Sequence, residues 1–325
     1  MEKGLFEGAI AVLYPDGNID LITSELESES AKKAAVNIKI YKNNDDLKII
    51  LKNIISSNKS IGINFKKFLY KDFLQIKKQF ISSKFFDISE SIDMIRLIKD
   101  EIEIKLIKKA CRISDKAMEK IPQILHENMY EYELAAEINY LMQKNGADKP
   151  AFDTISSFGK NTAEPHYTHG DTKLKRNDLV LCDFGACFKK YNSDITRTFI
   201  FGKANENQKN MYKIVLEANT IGRNMIKSGL KAGEIHKAVN SFINKSEFKG
   251  RFIHSTGHSL GLSVHDGSER IGFNSELILK KNMIFTIEPG VYIPGLGGVR
   301  IEDDVLIKSN GAEILTKSNR NLIEI

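Results

Sequence analysis

At 325 residues the chain is long enough to bury a sizeable core in one large domain or two, and two are expected. Its formal charge of +6 and pI near 8.9 come from scattered Lys and Arg, without the basic runs interleaved with aromatics that mark a nucleic-acid face, so no nucleic-acid partner is expected. No run approaches the roughly 18 apolar residues of a membrane span, and the opening MEKGLFEGAI lacks a signal peptide's apolar stretch, so a cytoplasmic protein without a membrane partner is expected.

Residues 7–24 read as a β-hairpin, with AIAVLY and IDLITS flanking the turn PDGN. Helical periodicity follows from Glu27 to about Val36, which implies a small α/β unit over 1–90. From Ser89 the texture changes. The run SIDMIRLIKDEIEIKLIKKACRISDKAMEKI carries apolar residues at helical spacing over a charged face and opens a second domain over 91–325.

The strand DLVLCDFG puts Leu179, Leu181 and Asp183 on one side, and Cys182 on the other as a small buried hydrophobe. Polar FKKY at 188–191 suits a turn, and one centred near Phe188 and Lys189 sets Asp183 opposite Asp194 in SDITRT. Opposed like charges destabilise a sheet unless a cation compensates. The three cysteines, Cys111, Cys182 and Cys187, fit a reducing compartment better than a disulfide framework.

LKRNDLVLCDFG from Leu174 matches LKKNMIFTIEPG from Leu279 at an offset of about 105 residues, which superimposes Asp183 on Glu288. Helical segments near 102–121 and 207–228 share that offset, so two related halves are expected to face each other across a cleft. The second hairpin carries Glu288 on MIFTIEPG and Glu302 on GVRIEDD, joined through the turn formers PGLGG at 294–298. Arg300 shares the face of Glu302. His258 follows Gly257 in HSTGHSLGLSVHDG, bracketed by His254 and His265, and these are three of only seven histidines. Four carboxylates and one imidazole suit two divalent ions, Mn²⁺, Co²⁺, Fe²⁺ or Zn²⁺, of the kind that activate water for hydrolysis.

These residues resemble the pita-bread-fold metallopeptidases: methionine aminopeptidase, aminopeptidase P and Xaa-Pro dipeptidase (prolidase). The match covers about residues 90–325 and rests on Asp183, Asp194, the Gly257-His258 pair, Glu288 in IEPG and Glu302 in VRIED. The resemblance implies an α+β fold, with a pita-bread catalytic domain of pseudo-twofold duplicated halves behind a small creatinase-type domain. It implies that Asp183, Asp194, His258, Glu288 and Glu302 bind two metals, with Glu288 also shuttling a proton. His265 matches the histidine that stabilises the gem-diolate, and His166 in EPHYTHG the one that lines the substrate site. His254 carries over as a further substrate-site or structural residue, and Arg300 joins the substrate set.

GLGGVRIEDDVLI resembles microbial prolidases most, and Arg270 stands where similar prolidases place an arginine that clamps a dipeptide's C-terminal carboxylate. The expected reaction is cleavage before proline in Xaa-Pro dipeptides, with proline-containing di- or oligopeptides as partners and a homodimer as the assembly. The alternatives are an aminopeptidase P cutting Xaa-Pro-Yaa peptides and a non-catalytic pita-bread binding protein, while methionine aminopeptidase has no use for the N-terminal domain. LFEGAIAVLYPDGN already resembles the segment that comes after the opening strand and helix of similar proteins, so a shortened first domain, by roughly 40 residues, is expected.

Overall fold

The computed structural model describes residues 9–55 and 59–325. Contacts divide the chain into two compact units, Met1–Ile92 and Asp93–Ile325. Among the described residues no helix is long and apolar enough to cross a membrane.

In the first unit β1 (Ile10–Leu13) pairs antiparallel with β2 (Ile19–Ser24), and the PDGN turn is closed where Tyr14 N donates to Asn18 O at 2.9 Å. The expected hairpin starts at residue 7; Glu7 and Gly8 lie outside the described residues. The helix expected from Glu27 to Val36 is reduced to α1 (Ser28–Ala31) after a 3-10 turn at Glu25–Glu27. The cause is the next strand, β3 (Asn37–Tyr41), which runs parallel to β2 with Asp20 paired to Asn37. Only twelve residues separate Ser24 from Asn37, and a helix running to Val36 would leave none for the return to the parallel partner, so the chain turns back after one helical turn. α2 (Asn44–Ile54), capped by the Asn43 side chain, then β4 (Ser60–Ile63), α3 (Tyr70–Gln79) and β5 (Lys84–Asp87) complete this unit around buried Ile22, Leu51 and Phe80.

α4 (Ser89–Leu97) leads into α5 (Glu101–Met118). Asp100 breaks the helical run between them: it caps α5, accepting from Glu103 N at 2.8 Å while Glu103 returns the bond to Asp100 N. α6 (Ile121–Ile124) and α7 (Glu131–Lys144) follow, then β6 (Lys149–Pro150), β7 (Ile155–Phe158), β8 (Asp178–Phe184), β9 (Ala186–Phe188), β10 (Tyr191–Asn192) and β11 (Ile195–Phe201). The second half repeats the plan with α8 (Glu206–Met225), α9 (Ala232–Asn244), β12 (Gly257–His258), β13 (Arg270–Ile271), β14 (Ile284–Ile287), β15 (Gly290–Ile293), β16 (Gly297–Arg300), β17 (Asp303–Ile307) and β18 (Ala312–Ile314).

Each half packs its two long helices on one face of its sheet. Ile113, Leu134 and Ile138 meet Val180, Phe184 and Phe199 in the first half, and Val215 and Val239 meet Phe285, Ile287 and Val305 in the second. Burying each such side chain contributes about 1.5–3 kcal/mol, and period-2 alternation turns Asp183 to the opposite face. The duplication extends to the backbone. Asn177 and Asn282 both take φ of 70°, and each donates its N–H to the last residue of the partner strand, Phe201 O and Ile307 O.

The first hairpin's register differs from expectation. Phe188 pairs with Tyr191, and the two central residues Lys189 and Lys190 have φ of 48° and 72°, the signature of a type I′ turn. The turn is therefore centred between Lys189 and Lys190, and Asp183 pairs with Thr196, not Asp194. Asp194 becomes a diagonal neighbour on the strand opposite. The second hairpin keeps the expected register: Ile287 pairs with Asp303 and Gly290 with Arg300, which leaves Glu288 facing Glu302 where the strands pass between two ladders.

Candidate metal centre

A cavity of about 620 Å³ opens between the two halves of the second unit, and it gathers all the site residues named from the sequence: Asp183, Asp194, His258, Glu288, Glu302, His166, His254, His265, Arg270 and Arg300. Apolar Phe152, Ile155, Ile253 and Val264 complete its walls. Asp183, Asp194, His258 and Glu302 are buried, Glu288 keeps 15 % of its side chain exposed, and His166, His265 and Arg270 are exposed.

His258 sits where Gly257 lets β12 approach β14 so closely that a Cβ would lie 1.8 Å from Thr286 O. The imidazole Nδ1 lies 3.2 Å from Ser259 O, which only accepts, so Nδ1 carries the proton and the Nε2 lone pair faces Asp194 at 3.6 Å and Glu288 at 3.5 Å. Burial, with the nearby His265 second, lowers its pKa to about 3, so it is neutral and ready to ligate. His258 and His265 rings lie 4.0 Å apart.

The carboxylates are crowded. Burial first, then the charges of Glu302 and Asp183, hold Asp194 well above the usual carboxylate range. Burial and then the charge of Glu288 do the same to Glu302, and burial pushes Glu288 up to about 7. Oδ1 of Asp183 and Oδ1 of Asp194 are buried without a hydrogen-bond partner. Ligand atoms of Asp194, His258 and Glu302 converge within 4.8 Å of one another. Unsatisfied acceptors, repelling charges and a neutral imidazole aimed inward form a donor set that fits divalent cations.

Hydroxyls missed in the sequence hold this set. Thr196 Oγ1 donates to Glu302 Oε2 at 2.6 Å and accepts from Arg300 Nε at 3.1 Å. Thr286 Oγ1 accepts from His258 N at 3.1 Å and donates to Glu288 Oε1 at 3.2 Å. Each threonine lies two residues along the chain from a candidate ligand, Thr196 from Asp194 and Thr286 from Glu288, a spacing that was available as a signal. Tyr292 was also missed, and no periodicity marks it: its hydroxyl lies 2.9 Å from His254 Nε2 and accepts from Arg300 Nη1 at 2.8 Å. Arg300 Nη2 in turn donates to Asp183 Oδ2. Arg300 thus lines the cavity but, at 2 % exposure, commits its guanidinium to Asp183, Thr196 and Tyr292. His254 Nδ1 faces Ser255 O at 2.8 Å, so both ring nitrogens are engaged, and burial lowers its pKa to about 3.

Residues 105–309 match the profile of metallopeptidase family M24, and residues 4–98 that of the creatinase/prolidase N-terminal domain. The chain belongs to metallopeptidase family M24. This peptidase is 41 % identical over 313 residues to the Xaa-Pro dipeptidase of Pyrococcus horikoshii, covering 96 % of this chain and 88 % of that protein. Among solved structures it is similar to the prolidase of Pyrococcus furiosus, with a TM-score of 0.87 and 40 % identity over 93 % of this chain and 88 % of that one. The Xaa-Pro dipeptidase of Bacillus anthracis gives a TM-score of 0.92 at 33 % identity, over 99 % of this chain and 90 % of that one. The fold is the creatinase/aminopeptidase-type pita-bread fold with an N-terminal domain. The chain is a hydrolase of a family that works with divalent metal ions.

Proposed function

We propose that this peptidase cleaves the bond before proline in Xaa-Pro dipeptides. The observation that carries the reading is one cavity holding the four carboxylates and His258 at its depth, with His166, His265 and Arg270 exposed along its wall. All of these lie between residues 166 and 302, which supports assigning 91–325 as the catalytic domain and 1–90 as the N-terminal one. A cytoplasmic location fits the sequence.

Asp183, Asp194, His258, Glu288 and Glu302 would hold two divalent ions, Mn²⁺ or Co²⁺ before Zn²⁺ or Fe²⁺. When bound, such ions supply Lewis acidity and a lowered pKa for water. Glu288, whose Oε1 accepts from Thr286 Oγ1 at 3.2 Å, stands to take a proton and release it to the departing prolyl nitrogen. His265, whose pKa is lowered by the partial desolvation of its ring and then by the charge of Arg270, is neutral and can donate a hydrogen bond to an oxyanion. His166 stands in the same wall to contact the substrate. The prolyl nitrogen carries no hydrogen, so recognition falls on ring shape and the free termini. Arg270, paired across the ladder with His258, is placed to grip the C-terminal carboxylate with two hydrogen bonds.

The test is release of free proline from Met-Pro and Leu-Pro after loading with Mn²⁺ or Co²⁺. Cleavage of Xaa-Pro-Yaa peptides with no turnover of any dipeptide would replace this reading with aminopeptidase P.

A further inference from the structure

Between β12 and β13 the chain makes an excursion over 259–269 that carries His265, and its shape sets three site residues at once. Its base is closed where His258 pairs with Arg270, and its neck where Asp266 N donates to Ser259 O at 2.9 Å and Ser259 Oγ donates to Asp266 O at 2.6 Å. Ser259 O is also the acceptor for His258 Nδ1. His265 precedes Asp266 directly, so the orientation of its imidazole depends on where Asp266 is fixed.

Asp266 is fixed by charge from outside the excursion. Its side chain is 2 % exposed, and it accepts from Lys99 Nζ at 3.3 Å and from Arg96 Nη2. Lys99 is itself 1 % exposed. Its backbone cannot drift, because Lys99 N donates to Asn282 O at 3.0 Å and Ile98 bridges Met283 at the start of β14. Gly261 folds over the pair: a Cβ there would lie 2.3 Å from Asp266 Oδ2 and 3.0 Å from Lys99 Cε. Gly261 O accepts from Asn192 N at 2.9 Å, which ties the same loop to the hairpin that carries Asp194.

A buried ion pair is weak as a source of net stability, because desolvation offsets the attraction, whereas it fixes geometry strongly. From this arrangement we infer that Lys99 and Asp266, with Arg96, are positioning residues that aim His265 into the cavity. The inference rests on the prolidase reading for its kinetic part only. Neither side chain lines the cavity, so neither touches substrate.

The experiment uses the full chain loaded with Mn²⁺. Removing Asp266 alone strands Lys99 in the interior, so the main variant is the double K99M/D266N, which removes both buried charges, leaves an amide oxygen at position 266 for the part-exposed Arg96, and should fold. The expected result is a thermal midpoint and Mn²⁺ affinity close to wild type and a kcat for Met-Pro lowered on the order of 10²-fold, with KM changed less than about threefold. The His265 imidazole resonance, read in the metal-free protein because paramagnetic Mn²⁺ would erase it and assigned by its absence in His265→Asn, should shift or broaden, and this can be read even in a protein that turns over no Xaa-Pro dipeptide. A folded variant with kcat within about twofold of wild type, or with the His265 resonance unmoved, overturns the inference. Should the double variant not fold, Arg96→Gln serves, since Arg96 is 22 % exposed and tolerates change better. A severalfold loss of kcat with a moved His265 resonance then supports the inference, and no change in either overturns it.

Discussion

Arg300 binds one oxygen of Asp183 and leaves the other, Oδ1, buried and unpaired toward the cavity. The same guanidinium reaches Thr196 at 3.1 Å and Tyr292 at 2.8 Å, so one side chain holds groups from both halves. Lysine has the charge but not the planar fork, and cannot serve three partners in these directions. Arg300→Lys should weaken Mn²⁺ binding by about 10- to 100-fold, the usual cost of losing a residue that orients a ligand. Calorimetric titration of the metal-free protein checks this, and unchanged affinity would remove Arg300 from the support of Asp183.

Metal affinity and the stability of the metal-free protein should move in opposite directions with pH. The folded pKa of Glu288, about 7, lies above its ordinary 4.5, and those of Asp194 and Glu302 are raised in the same direction. Stability from groups so shifted is present below their unfolded pKa and is lost as pH rises through the folded value. The metal-free protein should therefore have a lower Tm at about pH 8 than at about pH 5.5. Added Mn²⁺ displaces the retained protons, so its affinity and the Tm increase it produces should both be greater at the higher pH. His258 and His254, held neutral in the fold but free to take a proton once unfolded, work against this trend below their ordinary 6.5, and the three raised carboxylates outweigh them. Scanning calorimetry with and without metal at the two pH values measures it, and a metal-free Tm that rises with pH contradicts it.

Arg270 is exposed and faces the cavity, so its charge is partly screened and its effect on affinity should be modest. Arg270→Ala should lower kcat/KM for Leu-Pro roughly tenfold, mainly through KM. The same variant should act on C-terminally amidated Leu-Pro as wild type does. Equal losses on both substrates would show that Arg270 does not read the carboxylate.

The turn at Lys189 and Lys190 holds two L-residues in the left-handed region, with φ of 48° and 72°. Glycine enters that region without steric cost, so Lys190→Gly should raise the unfolding free energy by about 0.5–1 kcal/mol. Urea denaturation reads the change, and a destabilised variant would mean that the lysine side chains secure the turn.

That turn also explains where the sequence misleads. Type I′ turns are read from Asn-Gly or Asp-Gly, and a Lys-Lys pair gives no such sign, so the expected centre falls one residue early and the register shifts by two. The candidate ligands survive this because period-2 alternation keeps Asp194 on the same face when the register shifts by two. The helix expected after Glu27 fails for a different reason, since parallel pairing of β2 with β3 overrides local periodicity. The carboxylates and His258 are legible because few residue types can do their chemistry. The engagement of Arg300 is not, because Asp183 and Arg300 stand 117 positions apart and meet only when the two halves close.

Both hairpins begin at an asparagine in the left-handed conformation and are tied by the same main-chain bond, Asn177 N to Phe201 O and Asn282 N to Ile307 O. The spacing of the carboxylates is thus written in the backbone, while the walls above them are side chains such as Phe152, Ile253 and Arg270. Drift in those walls can retune which peptide enters without disturbing the carboxylate floor beneath them. A scaffold divided in this way is free to evolve new preferences while its chemistry stays constant.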